Sequence, residues 1–318
     1  YHFNIKYIFW LYKNAKQYDM VILDGLWSFS VTGGYILKML GVPYCVYTHG
    51  MLDPYFNENK IKYIKKLPFW FLVERNVIAF ANKVLFTCAE EMKLANNSFP
   101  FFKANSAIAT LGVEKPVNDN ELILTEFFHE YPRLKNKRIF LFLSRVHPKK
   151  GLELLIDAVS ELEDFPEDIV FLIAGPGALS YREDLEVRCR DLGISNRFEW
   201  VGMLSGQTKW AAFYSAECFI LPSHQENFGI VVAEALSTGT PVLITNKVNI
   251  WTEIETEMAG FVADDNKEGI RSLISSWIAL SKQQKLEFNN NALRCYEKHF
   301  SIQTAVVDFC KAVDLDVS

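Results

Sequence analysis

"RIFLFLSRVHPKKGLELLIDAVSELED", residues 138–164, decides how this chain folds. The apolar run 138–144 reads as a strand, and a basic loop follows it at once. Gly151 then opens a stretch in which Leu152, Leu155, Ile156, Val159 and Leu162 fall on one helical face. A strand, a loop and an amphipathic helix, in that order, make the first half of a βαβ unit, and a series of such units builds a parallel sheet.

The same rhythm runs along most of the sequence. Upstream, apolar runs at 20–23, 43–48 and 83–87 read as strands. They are separated by the helical "SVTGGYILKMLG" and by a long helical stretch from Lys60 to Ala81, broken near Pro68. Downstream, 169–175, 197–202, 218–222 and 241–245 supply further strands, with a helix from Tyr181 to Leu192 stopped by Gly193. Residues 113–137 carry Pro116, Pro132 and many charges and interrupt the alternation. The expected organisation is two Rossmann-type, doubly wound α/β domains in tandem. The first covers 1–115, a linker covers 116–137, the second covers 138–300, and a terminal helix over 301–318 packs back on the first. The chain opens at Tyr1 inside a helical pattern (Phe3, Tyr7, Ile8, Leu11, Ala15), so an upstream segment is expected and the first domain reads as incomplete.

Of the 318 residues 50% are hydrophobic and 22% charged, which excludes a disordered chain. The net charge of -5 argues against a nucleic-acid partner. Six cysteines stand apart with no Cys-x-x-Cys pair, so neither a zinc site nor a disulfide framework is indicated, and buried reduced thiols in a cytoplasmic protein are expected. No apolar run is long enough to cross a membrane and no secretory signal is visible.

In open parallel sheets ligands bind beyond the carboxyl ends of the strands, so the loops after each strand are where a site is sought. After 138–144 come Arg145 and Lys150, with Gly151 at a helix start. Two cations beside free helix N–H groups make an anion site, although a solvated basic loop has the same composition. After 169–175 comes Gly175-Pro176-Gly177, which permits close backbone approach to a ligand or is simply a turn. After 218–222 comes "HQENFGIVVAEALSTGTPVLIT", 224–245. Glu226 precedes a helix, Gly229 is expected in its first turn, and Glu234 falls further inside. Eight helical residues advance about 12 Å, comparable to the span of a sugar, a diphosphate and a ribose. Two carboxylates at that spacing suit the hydroxyls of a nucleotide sugar. The alternative is a dipole-favoured carboxylate at 226 and a surface pair at 234.

Together these residues resemble the GT-B glycosyltransferases, in particular glycosyltransferase family four. The resemblance rests on Glu-x7-Glu (Glu226, Glu234 in "ENFGIVVAEALSTGTPV") and on an Arg and a Lys-Gly after the first strand of the second domain (Arg145, Lys150-Gly151). "YTHGMLDPY" (47–55) and "NIWTEI" (249–254) resemble segments of a subgroup that builds bacterial surface polysaccharides. The sequence departs from the family pattern at Leu111 and at Thr245-Asn246-Lys247, and it lacks the glycine-rich loop that usually opens the first domain.

The resemblance implies a fold of two α/β domains facing a cleft. The reaction would be a hexosyl transfer, with retained configuration, from a UDP-, GDP- or ADP-sugar to a growing polysaccharide or lipid-linked glycan. Arg145 and Lys150 would bind the donor diphosphate. Glu226, with the backbone of Asn227, Phe228 and Gly229, would hold the transferred sugar, and Glu234 the ribose. Gly175, Gly202 and Met203 would flank the base, and His49 would sit near the sugar and acceptor. No Asp-x-Asp-like cluster is placed for a divalent ion, so no metal or other cofactor is expected. The competing functions are another GT-B enzyme, such as a nucleotide-sugar epimerase, and a non-catalytic nucleotide-sugar-binding subunit. "NKIKYIKKLPFWFLVE" (59–74) interleaves Lys60, Lys62, Lys65 and Lys66 with aromatics. It reads either as a peripheral contact with an anionic inner membrane face or as a helix docking its rings into the first domain's core. His147 and His224 lie in the site loops without an assigned role, and His2, His129 and His299 read as surface residues.

Overall fold

The computed structural model describes residues 3–116 and 120–315. The chain divides into two compact units, Tyr1–Leu111 with Ala305–Ser318, and Gly112–Thr304.

The second unit carries a six-stranded parallel sheet. Its strands are β5 (Arg138–Leu143), β6 (Ile169–Ala174), β7 (Phe198–Gly202), β8 (Ala216–Leu221), β9 (Val242–Thr245) and β10 (Gly260–Ala263), in the spatial order β10-β9-β8-β5-β6-β7. All of its neighbouring strands pair in parallel. β6 and β9 are buried along their whole length and most of β5 is too, because helices cover both faces, and this is why these strands read as unbroken apolar runs. The strand order reverses between β5 and β8, so the crevice of a doubly wound sheet opens above that pair. Helix Leu152–Ser160 follows β5 and buries Leu152, Leu155, Ile156 and Val159, four of the five residues expected on its inner face, while Leu162 lies past its end.

The structure differs from the sequence reading in its details. The stretch read as a linker contains a helix, Asn120–Glu130, which buries Ile123 and Phe127 and packs against helix Gly206–Ser215 of this unit. Residues 117–119 of that stretch lie outside the described residues. Two short strands, β10 and Ser106–Ile108 of the first unit, went unread.

The first unit holds a four-stranded parallel sheet, β1 (Val21–Asp24), β2 (Tyr44–Tyr47), β3 (Lys83–Phe86) and β4 (Ser106–Ile108), with its strands side by side in sequence order. Its core gathers Leu11, Leu23, Leu37, Val46, Val77, Val84 and Phe86 around Trp70, which stacks on Phe99 at 4.8 Å. The stretch Lys60–Phe80 does not break at Pro68. A helix Lys60–Phe69 runs through the proline into a π-helical turn, Trp70–Glu74, and continues as helix Arg75–Phe80. A widened turn of this kind absorbs backbone disturbed near a proline. The segment divides its aromatics, with Trp70 buried and Phe69 and Phe71 exposed. The terminal helix is Ile302–Ala312, and Ala312 and Val313 pack with Cys45, Tyr47, Leu85 and Ala109 of this unit. Residues 316–318 of the terminal segment, and His2, lie outside the described residues. Among the described residues no helix is long and apolar enough to cross a membrane.

Candidate functional site

In the second unit the loops after β5 and β8 meet above the strand reversal. They meet backbone to backbone. A Cβ on Gly151 would lie 2.0 Å from the carbonyl oxygen of Pro222, so only glycine fits there, and its φ of 65° is left-handed besides. That approach brings Lys150 against the next loop. Its ammonium is buried and donates to Glu226 Oε2, forming an ion pair across 76 residues of sequence. Lys149 Nζ donates to Gln225 Oε1 at 2.6 Å, and the His224 N–H donates to the Lys149 carbonyl at 2.9 Å, which ties the two loops together.

Glu226 is fixed from its other side as well. Its N–H donates to the Lys247 carbonyl at 2.9 Å, and its carbonyl accepts from Asn249 N–H at 3.0 Å, a short parallel bridge to the loop after β9. Gly229, rather than sitting in the first helical turn, is the left-handed residue at φ 73° on which helix Ile230–Ser237 begins. The helical rise therefore covers only the residues from 230 onward, and the 12 Å span expected between the carboxylates does not apply. Phe228 is an anchor, buried edge-on to Phe300 at 5.6 Å. Glu234 points to a cation the sequence reading missed, Lys209 Nζ at 2.9 Å. Ser223 Oγ, just past β8, is buried and has no hydrogen-bond partner among the described residues.

Two helices start at this point, after Gly151 and after Gly229, and neither has a side chain capping its first turn. Unbonded first-turn N–H groups beside cations attract anions. Arg145 stands on the β5 loop, exposed and without an ion pair or side-chain hydrogen bond among the described residues. One strand over, Gly175 N–H donates to the Gly202 carbonyl at 2.7 Å, and a Cβ on Gly175 would lie 1.8 Å from Ser144 O. Met203 beyond them is 72% exposed. The structure thus brings Lys150, Glu226, Asn227, Phe228 and Gly229 together, sets Arg145, Gly175, Gly202 and Met203 on neighbouring strand ends, and pairs Glu234 elsewhere. Of the unassigned histidines, His147 accepts from Lys149 N–H at 3.1 Å and His224 pairs with Asp265 at 3.0 Å.

In the first unit His49 lies just past β2 in a left-handed conformation, φ 46°, unusual for a residue with a side chain. Its ring stacks on Tyr47 with centroids 4.5 Å apart, and Nε2 lies 2.5 Å from Asp24 Oδ1 at the end of β1. Asp24 was not singled out from sequence, although the rule that searches strand ends reaches it. No group of three His, Cys, Asp or Glu residues is placed to share a metal ion among the described residues.

The family model for glycosyl transferases group 1 matches residues 125–294, more than half of the chain. A 2-deoxystreptamine N-acetyl-D-glucosaminyltransferase from Niallia circulans is 32% identical over 126 residues, 39% of this chain and 32% of that protein. An alpha-D-kanosaminyltransferase from Streptomyces kanamyceticus is 25% identical over 267 residues, 80% of this chain and 68% of that protein. The chain spans only about a third of the length of several other relatives it matches, from 26% to 37%. The crystal structure of Anabaena HepE with UDP and glucose superposes with a TM-score of 0.76 at 17% identity, over 96% of this chain and 81% of that one, which is a likeness of fold and makes the fold GT-B. With that fold and a family match centred on the unit that holds Lys150 and Glu226, the chain belongs to the group 1 glycosyl transferases.

Proposed function

We propose that the protein transfers a hexosyl group from a nucleoside-diphosphate sugar to a hydroxyl of a polysaccharide or lipid-linked glycan, with retained configuration. The observation that carries this is the Lys150–Glu226 pair, set between two uncapped helix starts at the strand reversal, with Arg145 on the same β5 loop and unpaired among the described residues. The diphosphate would take the place of protein partners. Arg145 and Lys150 neutralise the charge that builds as the bond from anomeric carbon to diphosphate oxygen breaks. The acceptor hydroxyl oxygen forms the new bond on the same face, and its proton passes to the departing diphosphate. Glu226 holds sugar hydroxyls and is not the nucleophile. Glu234 turns toward the ribose, and Gly175, Gly202 and Met203 flank the base. His49 with Asp24 stands on the acceptor side. No divalent ion is required in this scheme, so a chelator leaves the rate unchanged.

Calorimetric titration with UDP, GDP and ADP tests the reading. Binding of one of them with micromolar affinity, weakened by Lys150→Ala, is the expected result. Absence of heat with all three overturns it, and donor turnover that needs no acceptor and yields an isomerised nucleotide sugar would assign an epimerase instead.

A further inference from the structure

We infer that Glu91, a buried residue that touches no substrate, positions His49 and so acts through it in the transfer step; this rests on the reading of His49 as part of the acceptor-side site. Glu91 is 2% exposed and sits beneath the loop after β2. Its Oε1 accepts from Thr48 Oγ1 at 2.6 Å and from Gly50 N–H at 2.5 Å, the two residues on either side of His49. Its Oε2 accepts from Thr87 N–H at 2.7 Å and Thr87 Oγ1 at 2.6 Å, just past β3. One carboxylate thus fastens the loop after β2 to the end of β3 through two backbone N–H groups and two hydroxyls. Thr48 and Thr87 are fully buried, so water cannot replace these bonds.

What the clamp holds is strained. His49 and Gly50 are consecutive left-handed residues at φ 46° and φ 74°, and for a residue with a side chain that conformation persists only where its surroundings impose it. The imposed turn places the imidazole flat on Tyr47 with Nε2 at Asp24. With Glu91 removed, Gly50 N–H loses its buried acceptor, the turn relaxes, and the imidazole leaves Asp24. Glu91 is therefore a positioning residue, and His49 and Asp24 are the groups it presents.

The test is Glu91→Gln, which keeps shape and one carbonyl oxygen but sets an amide N–H₂ against one of the two backbone donors, with Glu91→Asp as a second variant should the first fold poorly. Expected is a fall in kcat of about ten- to a hundredfold with unchanged nucleotide affinity by calorimetry. In a His49→Ala background the same substitution should produce no further fall, because its effect runs through the missing ring. Equal, additive losses in the two backgrounds overturn the inference and leave Glu91 a general stabiliser. Were the wild type to bind no nucleotide, the functional reading would fall, and the inference would then be decided by NMR. Glu91→Gln must shift the His49 ring signals and speed exchange of the Gly50 amide, and unmoved His49 signals refute it.

Discussion

The second sheet uses the same two strands to build charged clusters at both of its ends, and the two clusters are finished differently. At the starts of β5 and β8, Arg138 grips Glu217 through two nitrogens at 2.7 and 2.8 Å, Lys285 donates to it at 2.8 Å, and Trp277 Nε1 at 2.9 Å. The register of β8 on β5 slips there, with Ala216 opposite Ile139 and Cys218 opposite Phe140, so Glu217 is an extra residue turned toward its cations. At the carboxyl ends of the same strands Lys150 has one acceptor, Glu226, and Arg145 has none among the described residues. A carboxylate saturated by the protein holds the sheet together. Cations with unused donors are suited to an incoming anion. The contrast predicts that substitutions at one end cost stability and at the other cost activity.

The sharpest way to break it is Lys150→Ala. The expected outcome is a fall in turnover of about 10²–10³-fold, the loss seen when one preorganised stabilising group is removed. The melting temperature should move little, because the Glu226 side chain is 23% exposed and water can take up its freed oxygen. Steady-state kinetics beside a thermal melt check both halves, and an active but unstable variant would place Lys150 in the structural class.

Glu217→Gln should do the reverse. Burial alone would raise the Glu217 pKa from its ordinary 4.5, but hydrogen bonds from Arg138 and Lys285 outweigh it and bring the carboxyl down to about 2. A carboxyl held low in the folded state stabilises it above the unfolded pKa, and that contribution disappears as pH falls through the folded value. The variant should thus lose about 3 kcal/mol at pH 7, the free-energy equivalent of that displacement. Its deficit against wild type should shrink below about pH 4.5 and vanish near pH 2. Urea denaturation at several pH values gives the curve, and nucleotide affinity should be unchanged throughout. A deficit independent of pH would mean that packing, not charge, holds this end of the sheet.

The same contrast explains what the sequence made legible. Buried parallel strands such as 169–174 declare themselves because both faces are apolar, and the loops beyond them follow from topology. Lys150 and Glu226 were each found that way. Their direct contact was not legible, since it depends on Gly151 meeting Pro222 across the strand reversal. Gly229 was read as the first turn of a helix because residue type alone does not reveal a left-handed φ. β4 and β10, short edge strands, lack the two-sided apolar signal that marks the central ones. The helix Asn120–Glu130 was hidden by its charges and by flanking prolines. Asp24 and Glu91 escaped because the His49 loop that each of them meets is distant in sequence.

Glu234 is where the contrast is least decided, and the smallest expected effect falls there. Its side chain is 15% exposed and pairs with Lys209, itself 22% exposed and 4.2 Å above the Trp210 ring. By geometry alone this clamp between two helices resembles the Arg138–Glu217 end. By sequence it is the second glutamate of Glu-x7-Glu. If it serves the ribose, Glu234→Ala should raise KM for the donor about tenfold while kcat at saturating donor holds, since hydroxyl contacts remote from the reacting carbon contribute equally to ground and transition states. Lys209→Ala, which leaves the carboxylate in place but no longer oriented, should weaken donor binding by only about two- to threefold, the scale of a partly exposed ion pair. If instead both substitutions lower the urea midpoint equally and leave KM alone, the pair belongs with Arg138 and Glu217, and the donor is held at the carboxyl ends of β5 and β8 without it.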